Sequence, residues 1–307
     1  MRFGKVVLEQ SLDPYIYGKV VSELKLKPPV VIKPNWGTIN NFTEAAVLDG
    51  VLGAIPGEKL VVESYGWART RDALEGKGIG SCKRSDLRKS DEWFLEYSGV
   101  SGVLKKHGVE FLNVTEEIWG NRVADASEVR RAADKYPPVL FPEMYERVPQ
   151  RLFDLRGGTF LSLAKYRLNH DPIAFSLSLK NLFGMIPGPG RAKYHGEGDR
   201  YLAQTIVDIN KVYRGIFDVV GMVDGVLTAS IGRTAEEAIR PHTTKNKGIL
   251  LGSRDCVTLD AAVATMERRN PSGIDYMALA AETFGSWDVV SVDAAQQSGV
   301  NVFSGAP

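Results

Sequence analysis

The chain of 307 residues is poor in the residues that announce common chemistries. It has two cysteines, Cys82 and Cys256, and four histidines. Two thiols so far apart in sequence cannot supply a four-thiolate cluster or a disulfide framework, which argues against an internal iron–sulfur cluster. His-Glu-x-x-His, Cys-x-x-Cys, a Gly-x-Ser-x-Gly elbow and a Walker A loop are all absent, so zinc hydrolases, serine hydrolases and P-loop enzymes lack their anchors. Charge of one sign is missing too. Lys+Arg 38 against Asp+Glu 37 leaves a formal net charge of +1, and no basic block marks a nucleic-acid surface. No apolar run approaches the length of a membrane span and the first residues carry no apolar leader, so the sequence predicts a cytoplasmic protein without a membrane partner. Repeats and low-complexity linkers are not found either.

What is present is alternation. Short β-branched runs, KVVLEQ (5–10), PVVIKPN (29–35), KLVVES (59–64), VEFLNV (109–114), GTFLSLA (158–164), FDVVGMV (217–223), KGILLGS (247–253) and WDVVSV (287–292), are separated by helical patterns over 14–25, 43–54 and 92–106. This predicts an α/β fold with a largely parallel or mixed sheet and helices on both faces. The expected organisation is a single α/β domain over 1–307. The more polar stretch 115–150, with its Tyr-Pro-Pro at 136–138, is the candidate for a sub-boundary or an inserted flap.

Residues 176–200, SLSLKNLFGMIPGPGRAKYHGEGDR, hold the densest combination of reactive side chains and glycine. Asp171 and Pro172 read as a helix start, and Phe175, Leu179, Leu182, Phe183 and Ile186 make one apolar stripe up to Pro187. On that helix Lys180 projects beside the stripe and Gly184 leaves room above it. A desolvated lysine there could act as acid, base or imine former, whereas a lysine at a core edge more often snorkels to water. The Gly-rich loop that follows carries Arg191, Lys193 and His195 into a second helix beginning near Asp199. Backbone N–H groups at such a helix start suit a phosphate or carboxylate, unless Asp199 itself caps the helix. His195 is the candidate acid/base beside Lys180, with Lys165 and His170 as further proton carriers. Strand exits at Lys33-Pro34-Asn35, Glu63 to Gly66 and Asp224-Gly225 are where open α/β sheets bind ligands, though turn chemistry alone also explains such residues. Asp199, Asp208 and Asp224 are the candidates for a hard cation, resting on scattered aspartates alone.

Taken together, VVIKPNW (30–36), SLSLKNLFGMIPGPGRAKYHG (176–196), IVDINKVY (206–213), VVGMVDGV (219–226) and GSRDCVTLDAAVA (252–264) resemble the domain of unknown function 362 family, often labelled iron–sulfur-binding. The resemblance spans nearly the whole chain and is most specific at Lys-Asn-Leu-Phe-Gly with its downstream His-Gly. It points to Lys33, Asn35, Lys180, Asn181, Gly184, His195, Asp208, Asp224, Asp255 and Asp260. Three departures stand out. The appended ferredoxin-like cysteine module is missing. The family's Lys-x-His appears only as AKYRLNH, with Lys165 and His170 five apart. TASIGRTAEEAIR (228–240) replaces a Gly-Asn-Gly-Pro-like segment. The functional expectation is an enzyme acting on a small phosphorylated or carboxylated metabolite by Lys/His acid–base chemistry. Lys33, Asn35, Asn181, Gly184, Arg191 and Lys193 would bind that anion. The alternative is a non-catalytic ligand-binding or redox- or cofactor-assembly accessory protein. Nothing in the sequence sets the oligomeric state.

Overall fold

The computed structural model describes the chain except residues 12, 14, 39–40, 67–82, 170–172, 189, 231–244 and 301–307. Cys82, His170 and His242 therefore lie outside the described residues. The nine described strands are β1 (Arg2–Phe3), β2 (Val6–Gln10), β3 (Val30–Lys33), β4 (Lys59–Glu63), β5 (Glu110–Asn113), β6 (Thr159–Leu168), β7 (Phe175–Ser176), β8 (Asp218–Ser230) and β9 (Lys245–Ser253). They form one mixed sheet in the order β1-β2-β9-β8-β6-β3-β4-β5, with β7 added to β6. The pairs from β8 through β6, β3 and β4 to β5 are parallel, and β9, β2 and β1 continue the sheet antiparallel. An α/β fold with a mixed sheet is what the alternating pattern predicts.

Helices pack on both faces. On one side α1 (Tyr15–Leu24) and α2 (Ala45–Ala54) cover Val30, Ile32, Val61, Leu161 and Leu163. Gly50 allows their close approach, because a Cβ there would stand 2.1 Å from Cδ2 of Tyr17. α3 (Arg84–Tyr97) and α4 (Val100–His107) extend the same layer. On the other side Val31, Leu60, Val62 and Phe160 meet a larger core. That core includes the long helix Leu202–Ile216 and the helix Cys256–Met266. Interior strands buried on both faces explain the unbroken Val/Ile/Leu runs, and each such side chain contributes about 1.5–3 kcal/mol by leaving water.

Residues 115–150 do not stand apart from this core. They form α5 (Val114–Trp119), α6 (Ala126–Ala132) and the 3₁₀ turn Pro142–Arg147, and Val129, Val139, Met144 and Val148 are buried in the larger cluster. Two local expectations are corrected. WDVVSV is not a strand: Asp288 accepts the Ser291 amide and opens the helix Val289–Gln297. Residues 173–186 are not one helix. Phe175–Ser176 is β7, paired antiparallel with Arg167 and Leu168, and only Ser178–Asn181 is α-helical before the 3₁₀ turn Leu182–Met185. The stripe residues are nonetheless all buried, so the spacing reported burial correctly and helix length wrongly.

Candidate functional site

β3 leads on to β4 on one side of the sheet, while its other neighbour, β6, leads on to β8 on the opposite side. The carboxyl ends of β3 and β6 thus flank a topological switch point, where an α/β sheet leaves a crevice. The cavity found there has a volume of about 90 Å³. Its walls combine strand ends (Lys33, Asn35, Glu63, Arg167) with the turn from β7 (Ser176, Lys180, Asn181, Phe183, Gly184) and Arg191. A larger cleft of about 700 Å³ lies between residues 265–271 and 287–300, and it receives none of the motif residues.

The short helix Ser178–Asn181 is placed by Asp260. The Asp260 carboxylate accepts the Ser178 amide at 2.9 Å, the Ser178 hydroxyl at 2.6 Å and the Leu179 amide at 2.9 Å. A remote side chain therefore caps this short helix; Asp171, the expected helix start, lies outside the described residues. Burial pushes the Asp260 carboxyl up to about 7, against those hydrogen bonds. Asp255 caps the helix Cys256–Met266 through the Val257 and Thr258 amides. Both aspartates picked out by the resemblance in this stretch are thus builders of the frame.

Lys33 is 1% exposed and its ammonium donates to Glu63 at 2.5 Å, to the Pro34 carbonyl at 2.7 Å and to Asn181 at 3.4 Å. Asn181 in turn donates to the Lys33 carbonyl and to the Ser162 hydroxyl. Gly184 makes room for Lys33 rather than for Lys180: a Cβ there would stand 2.7 Å from Cε and 2.8 Å from Nζ of Lys33. Asn35 lines the cavity beside them, turning its Oδ1 back to the Gly37 amide.

Lys180 differs in kind. Among the described residues its ammonium meets one hydrogen-bond partner, the Ser176 hydroxyl at 3.2 Å, and no carboxylate within ion-pair distance. Burial, the neighbouring Arg167 and Arg191 lower it to about 7, with Asp199 opposing. Arg167, on β6, donates from Nη2 to the same hydroxyl at 2.9 Å, and its buried Nε has no partner among the described residues. Burial brings the Arg167 guanidinium down to about 10, which leaves it charged at neutral pH. Asn169 adds a third donor to Ser176 at 2.7 Å. A hydroxyl oxygen has two lone pairs, so three donors exceed what it can accept. This corner of the cavity is rich in donors and poor in acceptors.

His195 lies against the cavity wall, its ring edge-on to Phe183 at 4.9 Å between centroids. Its Nδ1 is 2.7 Å from Asp199 Oδ1. With that carboxylate ionised Nδ1 carries the proton, leaving Nε2 as the basic nitrogen. Burial holds the imidazole below its usual value; the Asp199 hydrogen bond opposes this, and the Lys180 and Arg191 cations reinforce it. Asp199 therefore neither caps nor starts the next helix, which begins at Leu202 after the 3₁₀ turn Glu197–Asp199 and has Tyr201 as its N-cap. The expected anion cradle at that helix start is replaced by a His–Asp pair. Arg191 lines the cavity while clamping the loop, donating to Ser64 and to the carbonyls of Ile186 and Gly184. Lys193 does not reach the cavity; it is paired with Glu143 at 2.5 Å on the surface.

The remaining candidates disperse. Lys165 is 1% exposed and belongs to a separate group, held by Glu44 at 2.5 Å and Asp224 at 2.9 Å. Burial, then Asp224, raises the Glu44 carboxyl to about 7, against the pull of Lys165. Asp208 is engaged by Lys211, Gln204 and the Leu140 amide. The three candidate cation ligands, Asp199, Asp208 and Asp224, thus sit in three different pairings, and no cluster of three or more metal-binding side chains occurs among the described residues. Arg167 and Glu44 went unmarked in the sequence. Arg167 stands inside AKYRLNH at the carboxyl end of a strand run, a signal that could have found it; Glu44 offers none.

These features define a mixed-sheet α/β protein with a cation-lined cavity at the switch point of its parallel strands. The family model for the domain of unknown function DUF362 matches residues 30–265, and the chain belongs to that family. No curated protein and no solved structure matches it. No helix among the described residues is long and apolar enough to cross a membrane.

Proposed function

We propose that the protein is an enzyme that binds a small carboxylated or phosphorylated metabolite in the cavity at the ends of β3 and β6 and acts on it by Lys180 and His195 acid–base chemistry. The observation that carries this reading is the convergence of Arg167 and Lys180 on the single hydroxyl of Ser176, with no carboxylate paired to either among the described residues. A buried guanidinium and a half-buried ammonium repel one another, and an anion between them would relieve both the repulsion and the donor excess. Arg167 keeps its charge and is the anion holder. Lys180, depressed to about 7, is divided between amine and ammonium near neutral pH and can take or give a proton. His195, neutral and oriented by Asp199, is the second proton carrier.

Calorimetric titration with inorganic phosphate and with acetate tests the anion site. Arg167→Met should weaken binding at least tenfold with the fold intact by circular dichroism; unchanged affinity in that variant would remove the anion site from this cavity. On any substrate so found, Lys180→Ala and His195→Ala should abolish turnover with little change in thermal melting.

A further inference from the structure

The lysines near the sheet's carboxyl edge divide by partner. Lys33 and Lys165 are locked in ion pairs with buried or half-buried carboxylates. Lys180 has a hydroxyl instead. An ammonium meant only to attract an anion gains nothing from an environment that discharges it, and Arg167 already supplies a permanent charge beside it. We propose that Lys180 is a covalent nucleophile, forming an imine with the carbonyl carbon of a small 2-oxo carboxylate whose carboxylate is held by Arg167.

Geometry limits the substrate. Arg167 Nη2 and Lys180 Nζ lie 2.9 and 3.2 Å from one oxygen, so they are within about 6 Å of each other. A carboxylate at about 2.8 Å from the guanidinium leaves the amine within reach of the carbon next to the carboxyl group, near the roughly 3–3.5 Å of an attacking pair. The cavity is small, about 90 Å³, which favours a short-chain substrate. The step balances without a cofactor. The Nζ lone pair adds to the carbonyl carbon while the carbonyl π pair moves to oxygen, which is protonated. The nitrogen loses a proton to His195, which hands it to the hydroxyl as that leaves as water; the protonated C=N so formed releases its remaining N–H proton to solvent, replacing the one the carbonyl oxygen took up. The amine and the carbonyl compound are converted to imine and one water, with no change of oxidation state.

This inference rests on the anion site proposed above, and the test separates the two. The full chain is incubated with glyoxylate, pyruvate or 2-oxobutanoate and sodium borohydride, then mapped by mass spectrometry. The expected result is one reduced adduct on the peptide carrying Lys180, absent in Lys180→Met and at least tenfold lower in Arg167→Met. Acetone, which has the carbonyl without the carboxylate, should give at least tenfold less adduct. Labelling that persists in folded Lys180→Met, or spreads over surface lysines, overturns the assignment. If acetate binds to wild type and is lost in Arg167→Met while no adduct forms, the imine falls and the anion site stands. If neither is seen, both fall. Protection of Lys180 from labelling by excess acetate provides a check independent of any variant's folding.

Discussion

Lys33 and Lys180 line the same small cavity, and both fall within the residues that the family model matches. Lys33 is wrapped by a carboxylate, a carbonyl and an amide oxygen. Lys180 meets one hydroxyl and faces a guanidinium. The first environment favours the charged form by supplying acceptors in a buried place, and the second opposes it by burial without them. A buried lysine with a full set of acceptors ties strands and turns together. A half-buried lysine without one is left with a basicity near neutrality, which is what acid–base or nucleophilic work requires. Two identical residue types thus divide into frame and reagent, and the division lies in their partners.

The largest expected effect is on the frame side. Lys33→Ala or Glu63→Ala alone leaves a buried charge without its partner, for which about 3–5 kcal/mol of destabilisation is expected, read as a shift of the urea midpoint. Lys33→Met with Glu63→Leu removes both charges and should recover most of that loss. If the double variant is as unstable as the sum of the singles, the pair is not the unit that the 2.5 Å contact suggests.

The sequence revealed the sheet well and the partners poorly. Interior parallel strands are buried on both faces, so VVI and LVV read as strands without help from elsewhere. Lys33, Asn35, Lys180, Asn181, Gly184 and Arg191 were all legible as candidates, and they converge on one cavity. What chooses their roles comes from far along the chain. Glu63 reaches Lys33 across 30 residues, Glu44 reaches Lys165 across 121, and Asp260 caps Ser178 across 82. No periodicity encodes such separations. The misread helix has the same origin: apolar spacing over 175–186 reports burial, yet β7 pairing with β6 determines the backbone and brings Ser176 to Arg167. WDVVSV misled because β-branched residues favour strands locally, while an Asp288 cap and exposed Val289 and Val290 make it a helix start.

On the reagent side the effect is smaller and of opposite sign. Lys180 is depressed to about 7 in the folded chain, whereas the unfolded chain holds its proton up to about 10.4. Between those values the unfolded state binds more protons, so this residue's contribution to stability improves as pH rises. Below about pH 7 the ammonium is charged in both states and the cost of burying it is fully present. Lys180→Met should therefore raise stability by an amount on the order of 1 kcal/mol below pH 7, with the gain fading as pH climbs from 7 toward 10. Thermal melts of both proteins from pH 6 to 10 measure it. A Met variant that is less stable than wild type below pH 7 would place Lys180 with Lys33 as a frame lysine.

Lys193 should show the smallest effect and completes the comparison, because it belongs to the same loop as Arg191 and His195 but to neither class of buried cation. Its side chain is 51% exposed and its partner Glu143 is 26% exposed, so water screens the pair and side-chain ordering offsets much of its attraction. Lys193→Ala should change stability by no more than about 0.5 kcal/mol and leave phosphate and acetate affinity within about twofold, since one exposed charge outside the cavity adds little at physiological ionic strength. The same titrations that show a tenfold loss for Arg167→Met provide the scale. A Lys193 effect of that size would mean that the loop's exposed cations, and not the pair converging on Ser176, hold the anion.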